Sequence, residues 1–201
     1  MTAHLLAVRR GVARCRRCPL WRHATHSVPG EGTPDAGIVL VGEGPGRQED
    51  LSGRPFVGRA GRLLEELLAH AGLRRDQVYI TNVVKHRAVT ARPAGRDRPP
   101  TAGEIEACRP WLLTQLDILR PRVVVTLGRH ALAAFLPRAA IAECHGRPQR
   151  GGGYTILPLY HPSYALHSPA ARPLLFHDVL ALRTLIRKPA ARPAGHMEGS
   201  R

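Results

Sequence analysis

Glu43, Glu49, Asn82 and His161 are the residues in this chain best suited to chemistry: two carboxylates, an amide and an imidazole, in three distant stretches. Glu43-Gly-Pro-Gly46 runs on through Glu49 to Asp50, Asn82 lies in Thr81-Asn-Val-Val-Lys85, and His161 opens His161-Pro-Ser163. A carboxylate can orient water, an amide reads a donor–acceptor pair, and an imidazole can stabilise developing negative charge. Gly42 and Gly44 let backbone come close to something flat or anionic. Nucleotide sites are weighed first and set aside. GEGPGR lacks the Lys and hydroxyl of a phosphate loop and does not match G-x-G-x-x-G. Asp50-Leu-Ser-Gly53 is read as interrupting any direct passage into a helix. Singly, each residue has an ordinary reading: turn glycines, a helix-capping Asn82, a satisfied loop His161.

A second constellation is sulfur-based. Cys15-Arg-Arg-Cys18 has the spacing that lets two thiolates chelate one metal centre, although redox chemistry and chance remain open. Cys108 and His86 are candidates for the remaining ligands. Three Cys and one His would satisfy tetrahedral zinc or anchor an iron–sulfur cluster, and composition does not choose between them. Cys144, beside His145, has no partner by spacing and is read as an ordinary free cysteine.

Positioning these residues falls to an alternating pattern of elements. Ile38–Gly42 and Val123–Leu127 are buried-strand signals, with further strands over 77–84 and 154–160. Apolar residues at helical spacing from Ala60 to Ala71 end at Gly72, a C-terminal cap. Thr101-Ala-Gly-Glu104 has the form of a capping box. Its helix carries Ile105, Cys108, Leu112, Leu116 and Leu119 inward and stops at Pro121. A last amphipathic helix is expected over 173–187. The order predicts a three-layer α/β/α fold around a central four-stranded, mostly parallel sheet. In such a sheet the segments after the strands share one rim, where open α/β sheets bind ligands. That convergence raises the three stretches above their ordinary readings.

The 201 residues make one domain, expected over 1–188, with 189–201 a disordered Pro/Ala/Gly-rich tail. Thirty Lys+Arg against fifteen Asp+Glu give a net charge of +15, almost all of it arginine, which points to a polyanionic partner such as DNA. No window of 18 apolar residues exists and the N-terminus lacks a signal peptide's apolar core, so the expectation is a cytoplasmic protein with no membrane partner.

Taken together, Gly42-Glu-Gly-Pro-Gly46, Glu49-Asp50, Gly53-Arg-Pro-Phe-Val-Gly58 with Ala60-Gly61, Thr81-Asn-Val-Val-Lys85, Ala107-Cys-Arg-Pro110 and His161-Pro-Ser-Tyr164 resemble family 4 uracil-DNA glycosylases. The likeness spans Cys15 to Ile186 in the family's order. It implies a uracil-glycosylase fold, a monomer, a [4Fe–4S] cluster on Cys15, Cys18, His86 and Cys108, and excision of uracil from DNA. His86 stands where Cys is usual, which is similar to the X-type subgroup that traps uracil-DNA covalently through a loop histidine. The loop between Arg87 and Pro100 is long but holds no histidine, so ordinary turnover is expected. Asp97 stands where the family has a loop asparagine.

On this reading Phe56 offers a face to the base, Gly42, Gly44 and Ser163 help hold it, and Asn82 accepts from uracil N3–H while donating to O4. Cytosine presents the opposite pattern at both atoms. His161 and the Glu43–Gly46 backbone would stabilise charge on uracil O2, with residues Tyr164 to Leu166 wedging the vacated stack. Glu49 would orient water or crowd C5 against thymine's methyl, and Glu43 would act there too or tie down its own loop. The cluster is read as structural, placing Arg16 and Arg17 near DNA. The rival reading is a catalytically weak or covalently trapping uracil-DNA-binding protein on the same fold.

Overall fold

A computed structural model describes residues 2–90 and 95–187. The expected tail and the boundary at 188 lie outside the described residues, as does the tip of the 87–100 loop. Six strands form one sheet: β1 (Glu31–Gly32), β2 (Ile38–Gly42), β3 (Tyr79–Asn82), β4 (Val123–Leu127), β5 (Gln149–Gly151) and β6 (Tyr154–Leu159), in the order β1-β3-β2-β4-β6-β5. The four inner strands are parallel, as expected. Two antiparallel edge strands, β1 and β5, exceed the predicted count of four. At two and three residues, neither is long enough to show a period-2 pattern.

Alternation along the inner strands divides the core in two. Ile38, Leu40, Ile80, Val123 and Val125 point to the face covered by α3 (Arg59–His70), α8 (Ala171–Val179) and α9 (Ala181–Arg187). Val39, Val41, Tyr79 and Val124 point to the face covered by α1 (Ala3–Ala13) and α4 (Ala102–Leu119). Burial on both faces explains why these strands are apolar throughout. The expected single C-terminal helix is divided at Leu180 into α8 and α9. Helix α1 was not anticipated, although Leu5, Val8 and Val12 recur at helical spacing and are its buried face.

Two further differences lie near the rim. The stretch expected to keep the glycine loop from a helix is itself helical: α2 (Arg47–Ser52) starts directly after Gly46 and ends at Gly53, in the left-handed region at φ 70°. Strand β3 is shorter than the expected 77–84 because a 3₁₀ turn occupies Arg75–Gln77 and the chain leaves the ladder after Asn82. The Thr101–Glu104 capping box forms as read, with each side chain accepting from the other's backbone N–H.

The chain passes from β2 to β3 on one side and then returns to β4 on the other. Strand β2 is therefore the point where the topology reverses, and a crevice opens beyond its carboxyl end. Gly42 pairs with Asn82 there, and Leu127 with Leu159 two strands along.

Candidate active site

That crevice is a cavity of about 700 Å³ lined by Glu43, Gly44, Gly46, Glu49, Phe56, Asn82, His161 and Ser163 together with Asp97, Arg98, His130, Tyr160 and Tyr164. The three distant stretches do converge. No backbone of the described cavity is reached by a disulfide, since all four cysteines are free.

Asn82 is the last residue of β3 and is 1% exposed. Its Oδ1 and Nδ2 are both buried and have no hydrogen-bond partner within the protein. It caps no helix. Gly42 must be glycine here, because a Cβ would stand 2.4 Å from Asn82 Oδ1 and 2.7 Å from the Phe56 ring. A Cβ on Gly44 would meet Val84 Cγ2 at 2.8 Å, so backbone alone fits at that point of the wall.

Phe56 sits at φ 50°, a left-handed conformation that costs a non-glycine residue energy. Arg75 holds it: its guanidinium donates to the carbonyls of Pro55 and Phe56 and pairs with Glu31. Gly61 leaves the necessary room, as a Cβ there would overlap the Phe56 carbonyl. Arg75 and Glu31 lie outside the motifs and were missed; a strained turn gives no sequence signal by which to find them.

His161 is the N-cap of α7 (Pro162–His167). Its Nδ1 accepts from the Ser163 N–H at 3.1 Å and lies 2.6 Å from Ser163 Oγ. The neutral ring therefore carries its proton on Nε2. Burial holds its pKa down to about 4, against an opposing pull from the Glu49 carboxylate. The Phe56 ring lies 5.7 Å away, tilted 33°. Ser163, expected to bind substrate, lines the cavity and also contacts His161 through its hydroxyl and its N–H.

The two carboxylates have different partners. Glu49 Oε1 accepts from the N–H groups of Val57 and Gly58, each at 2.9 Å, so it ties the turn after Phe56 to α2. Glu43 faces His130, whose Nε2 is 3.9 Å away. Burial raises its pKa, against the opposing charges of His130 and Arg129. His130, just past Gly128, was not singled out; its only sequence signal is its place after the third parallel strand.

The long loop is a short hairpin where it is described. Val89 bridges Asp97, Thr90 N–H donates to Arg96, and Arg98 N–H donates to Ala88. Arg87 pairs with Asp97 at 2.6 Å, and Arg98 grips Glu104 at two points. Asp97, Arg98, Pro99 and Pro100 thereby form part of the cavity wall.

The sulfur constellation is partly gathered. Among the described residues, no three His, Cys, Asp or Glu stand in the arrangement that holds a metal ion. Cys15, Cys18 and Cys108 nevertheless share one neighbourhood. Burial pushes the Cys108 thiol up, against the charge and backbone N–H of Lys85, and charge on Cys18 and Cys15 adds to the rise. Burial pushes Cys15 up too, but hydrogen bonds from the Arg17 backbone and Trp111 outweigh it and its pKa falls. Trp111 Nε1 donates to Cys15 Sγ at 3.3 Å. His86 is buried, and burial together with Arg16 lowers its pKa, favouring the neutral ring. Arg16 and Arg17 stack on Trp21 and Trp111 at 4.2 and 4.6 Å, so they brace this region and do not simply project toward a ligand. Cys144 is buried with its thiol 3.2 Å from the Ala140 carbonyl.

An unpaired amide, a strained aromatic and a neutral imidazole thus meet in one cavity at the reversal point of a parallel sheet. The family model described as the uracil DNA glycosylase superfamily matches residues 29–182, and the chain belongs to that superfamily. It is similar to proteins named type-4 uracil-DNA glycosylase. One from Sulfurisphaera tokodaii is 42% identical over 90% of this chain and 84% of its own. One from Thermotoga maritima is 44% identical over 88% and 92%. A type-5 uracil-DNA glycosylase from Thermus thermophilus is 34% identical over 72% and 77%.

Proposed function

We propose that this protein removes uracil from DNA by hydrolysing the bond between uracil N1 and deoxyribose C1′, leaving an abasic site. The observation that carries the reading is Asn82, whose amide is buried at the cavity wall with neither atom paired. A buried amide without partners is costly, and an extruded uracil supplies both: N3–H to Oδ1 and O4 to Nδ2. Cytosine would meet each atom with the wrong polarity.

Phe56 presents its ring to the base, and its fixed backbone keeps that ring from following a misplaced ligand. As the C1′–N1 bond lengthens, negative charge gathers on O2. A neutral His161 with its proton on Nε2 can donate there without first losing a proton to solvent. Ser163 keeps the ring in that tautomer. Water then adds to C1′ and gives up a proton. Of the two carboxylates, we assign this step to Glu43: burial raises its affinity for protons, whereas one oxygen of Glu49 already accepts from the Val57 and Gly58 amides.

The thiol-rich region fits a sulfur-ligated iron cluster. Its cysteines are free, Trp111 donates to one of them, and they come from two segments far apart in sequence, Cys15 and Cys18 just after α1 and Cys108 in α4. Cys15, Cys18, Cys108 and His86 would hold a [4Fe–4S] cluster, which would cross-link the N-terminal segment to α4. Hydrolysis transfers no electrons, so this role is structural. The net charge of +15 supports a DNA partner, and the reading extends to a monomer acting on DNA in the cytoplasm. Among the described residues no helix is long and apolar enough to cross a membrane.

The test is a labelled oligonucleotide with one uracil, treated with alkali after incubation. Strand scission at uracil, and none at thymine or cytosine, is the expected result. A denaturing gel without alkali should show no protein–DNA band, because the 87–100 loop has no histidine. An intact strand, or a persistent band, would overturn the reading.

A further inference from the structure

Lys85 is a buried charged residue that base recognition alone does not explain. It is 1% exposed and among the largest fully buried side chains. Placing an ammonium there is costly unless every proton is used. Three oxygens lie at 2.7 Å from Nζ: Thr81 Oγ1, the Asn82 carbonyl and Gln115 Oε1. In its charged form Nζ has three protons, one for each oxygen, although burial lowers its pKa to about 7. The acceptors are themselves tied down. Gln115 Nε2 donates to the Pro29 carbonyl and to Tyr79 OH, and Thr81 Oγ1 donates to Pro29 at 3.1 Å. Beyond Lys85 itself, Val28 N–H donates to its carbonyl at 2.7 Å. One side chain thus knots the end of β3 to α4 and to the segment ahead of β1.

The knot sits directly behind the residue whose side chain is unpaired. Asn82 ends its strand, so its carbonyl has left the ladder, and its amide has no hydrogen bond within the protein to orient it. What fixes the direction of that amide is its own peptide plane and the contact with Gly42 and Phe56. We propose that Lys85 is a positioning residue: it clamps the Asn82 peptide from behind so that the amide faces the cavity already aligned for the base. An apolar residue of the same size would fill the space and leave the Asn82 carbonyl without this donor and Gln115 Oε1 with only the Thr81 hydroxyl at 3.1 Å, free to turn toward other partners. The inference rests on the reading that Asn82 recognises the base.

The experiment is a double-mutant cycle with Lys85→Met and Asn82→Ala, followed by single-turnover excision of uracil and by binding of uracil-free duplex. Lys85→Met should slow excision by about 10- to 100-fold, the loss expected when a reacting group is displaced by about an ångström. Binding of uracil-free duplex should stay within about twofold, because the phosphate contacts are untouched. In the Asn82→Ala background the same change should cost nothing further, since Lys85 acts through that side chain. An equal loss in both backgrounds, or parental excision by Lys85→Met, overturns the proposal and leaves base reading by Asn82 standing. Parental excision by Asn82→Ala alone overturns both. Should Lys85→Met not fold, Thr81→Val removes one acceptor from the same knot. It should show the same non-additivity at about fivefold; additivity there refutes the proposal equally.

Discussion

Replacing Asn82 by leucine should make the protein more stable and nearly inactive at once. Leucine has the same branched skeleton as asparagine, with wider methyl groups, and has no polar atoms to leave unpaired. In the free protein Oδ1 and Nδ2 are both buried without partners. Each such group costs about 1–3 kcal/mol, partly relieved by local relaxation, so removing the pair should stabilise the fold by about 1–2 kcal/mol. For a chain of this length that is a rise in Tm of about 2–8 °C. The same change strips uracil N3–H and O4 of their partners in the closed pocket. Two lost hydrogen bonds at about 1–3 kcal/mol each slow excision by roughly 30- to 10⁴-fold. The measurements are calorimetric melting and single-turnover cleavage of a uracil-containing duplex, with Asn82→Asp as a partial variant that keeps one acceptor. A fall in Tm would show that the amide has protein partners and is not held open for a ligand. Excision at the parental rate would show that the base is read elsewhere.

Gly42→Ala places a methyl 2.4 Å from Asn82 Oδ1, and excision should fall by about 100-fold with little change in DNA binding; unchanged kcat would refute the close packing of Gly42, Asn82 and Phe56. Burial holds His161 near a pKa of about 4, so below its unfolded value of about 6.5 the unfolded chain binds more protons than the folded one. Stability from this group is present above about pH 6.5 and is lost as pH falls toward about 4, by about 3 kcal/mol in all. Urea titrations across that range should show the slope, and His161→Asn should flatten it; an unchanged slope would mean other groups are responsible. The excision rate of the parent should show no inflection from His161 near pH 6.5, since the ring is neutral on both sides of it, and one there would contradict the assignment. Aerobic or anaerobic preparations should carry iron with visible sulfur-to-iron absorption, lost in Cys108→Ala. Zinc alone in the parent would retire the cluster.

The sequence by itself determined the parallel core and the order of its parts. Runs such as Ile38–Gly42 and Val123–Leu127 are apolar on both faces, and only a sheet covered on both sides accommodates that. Glycines, capping residues and prolines then mark where each run stops, so the residues of the rim could be named before any coordinates. The edge strands could not, because two or three residues carry no period. Helix α1 carried its signal in Leu5, Val8 and Val12, which the sequence reading passed over. What each rim residue does was decided only by the tertiary structure, because a role depends on which atoms remain unpaired. Asn82 and Glu49 are both polar rim residues in the sequence; in the fold the amide has no partner and the carboxylate has two. Ser163 lines the cavity and also supports His161, because a helix begins between them. Lys85 has no assigned role in the sequence beyond closing the Thr81–Lys85 motif; in the fold three oxygens from two elements surround it. Local pattern fixes which backbone groups must be satisfied, whereas long-range packing chooses the partners that satisfy them.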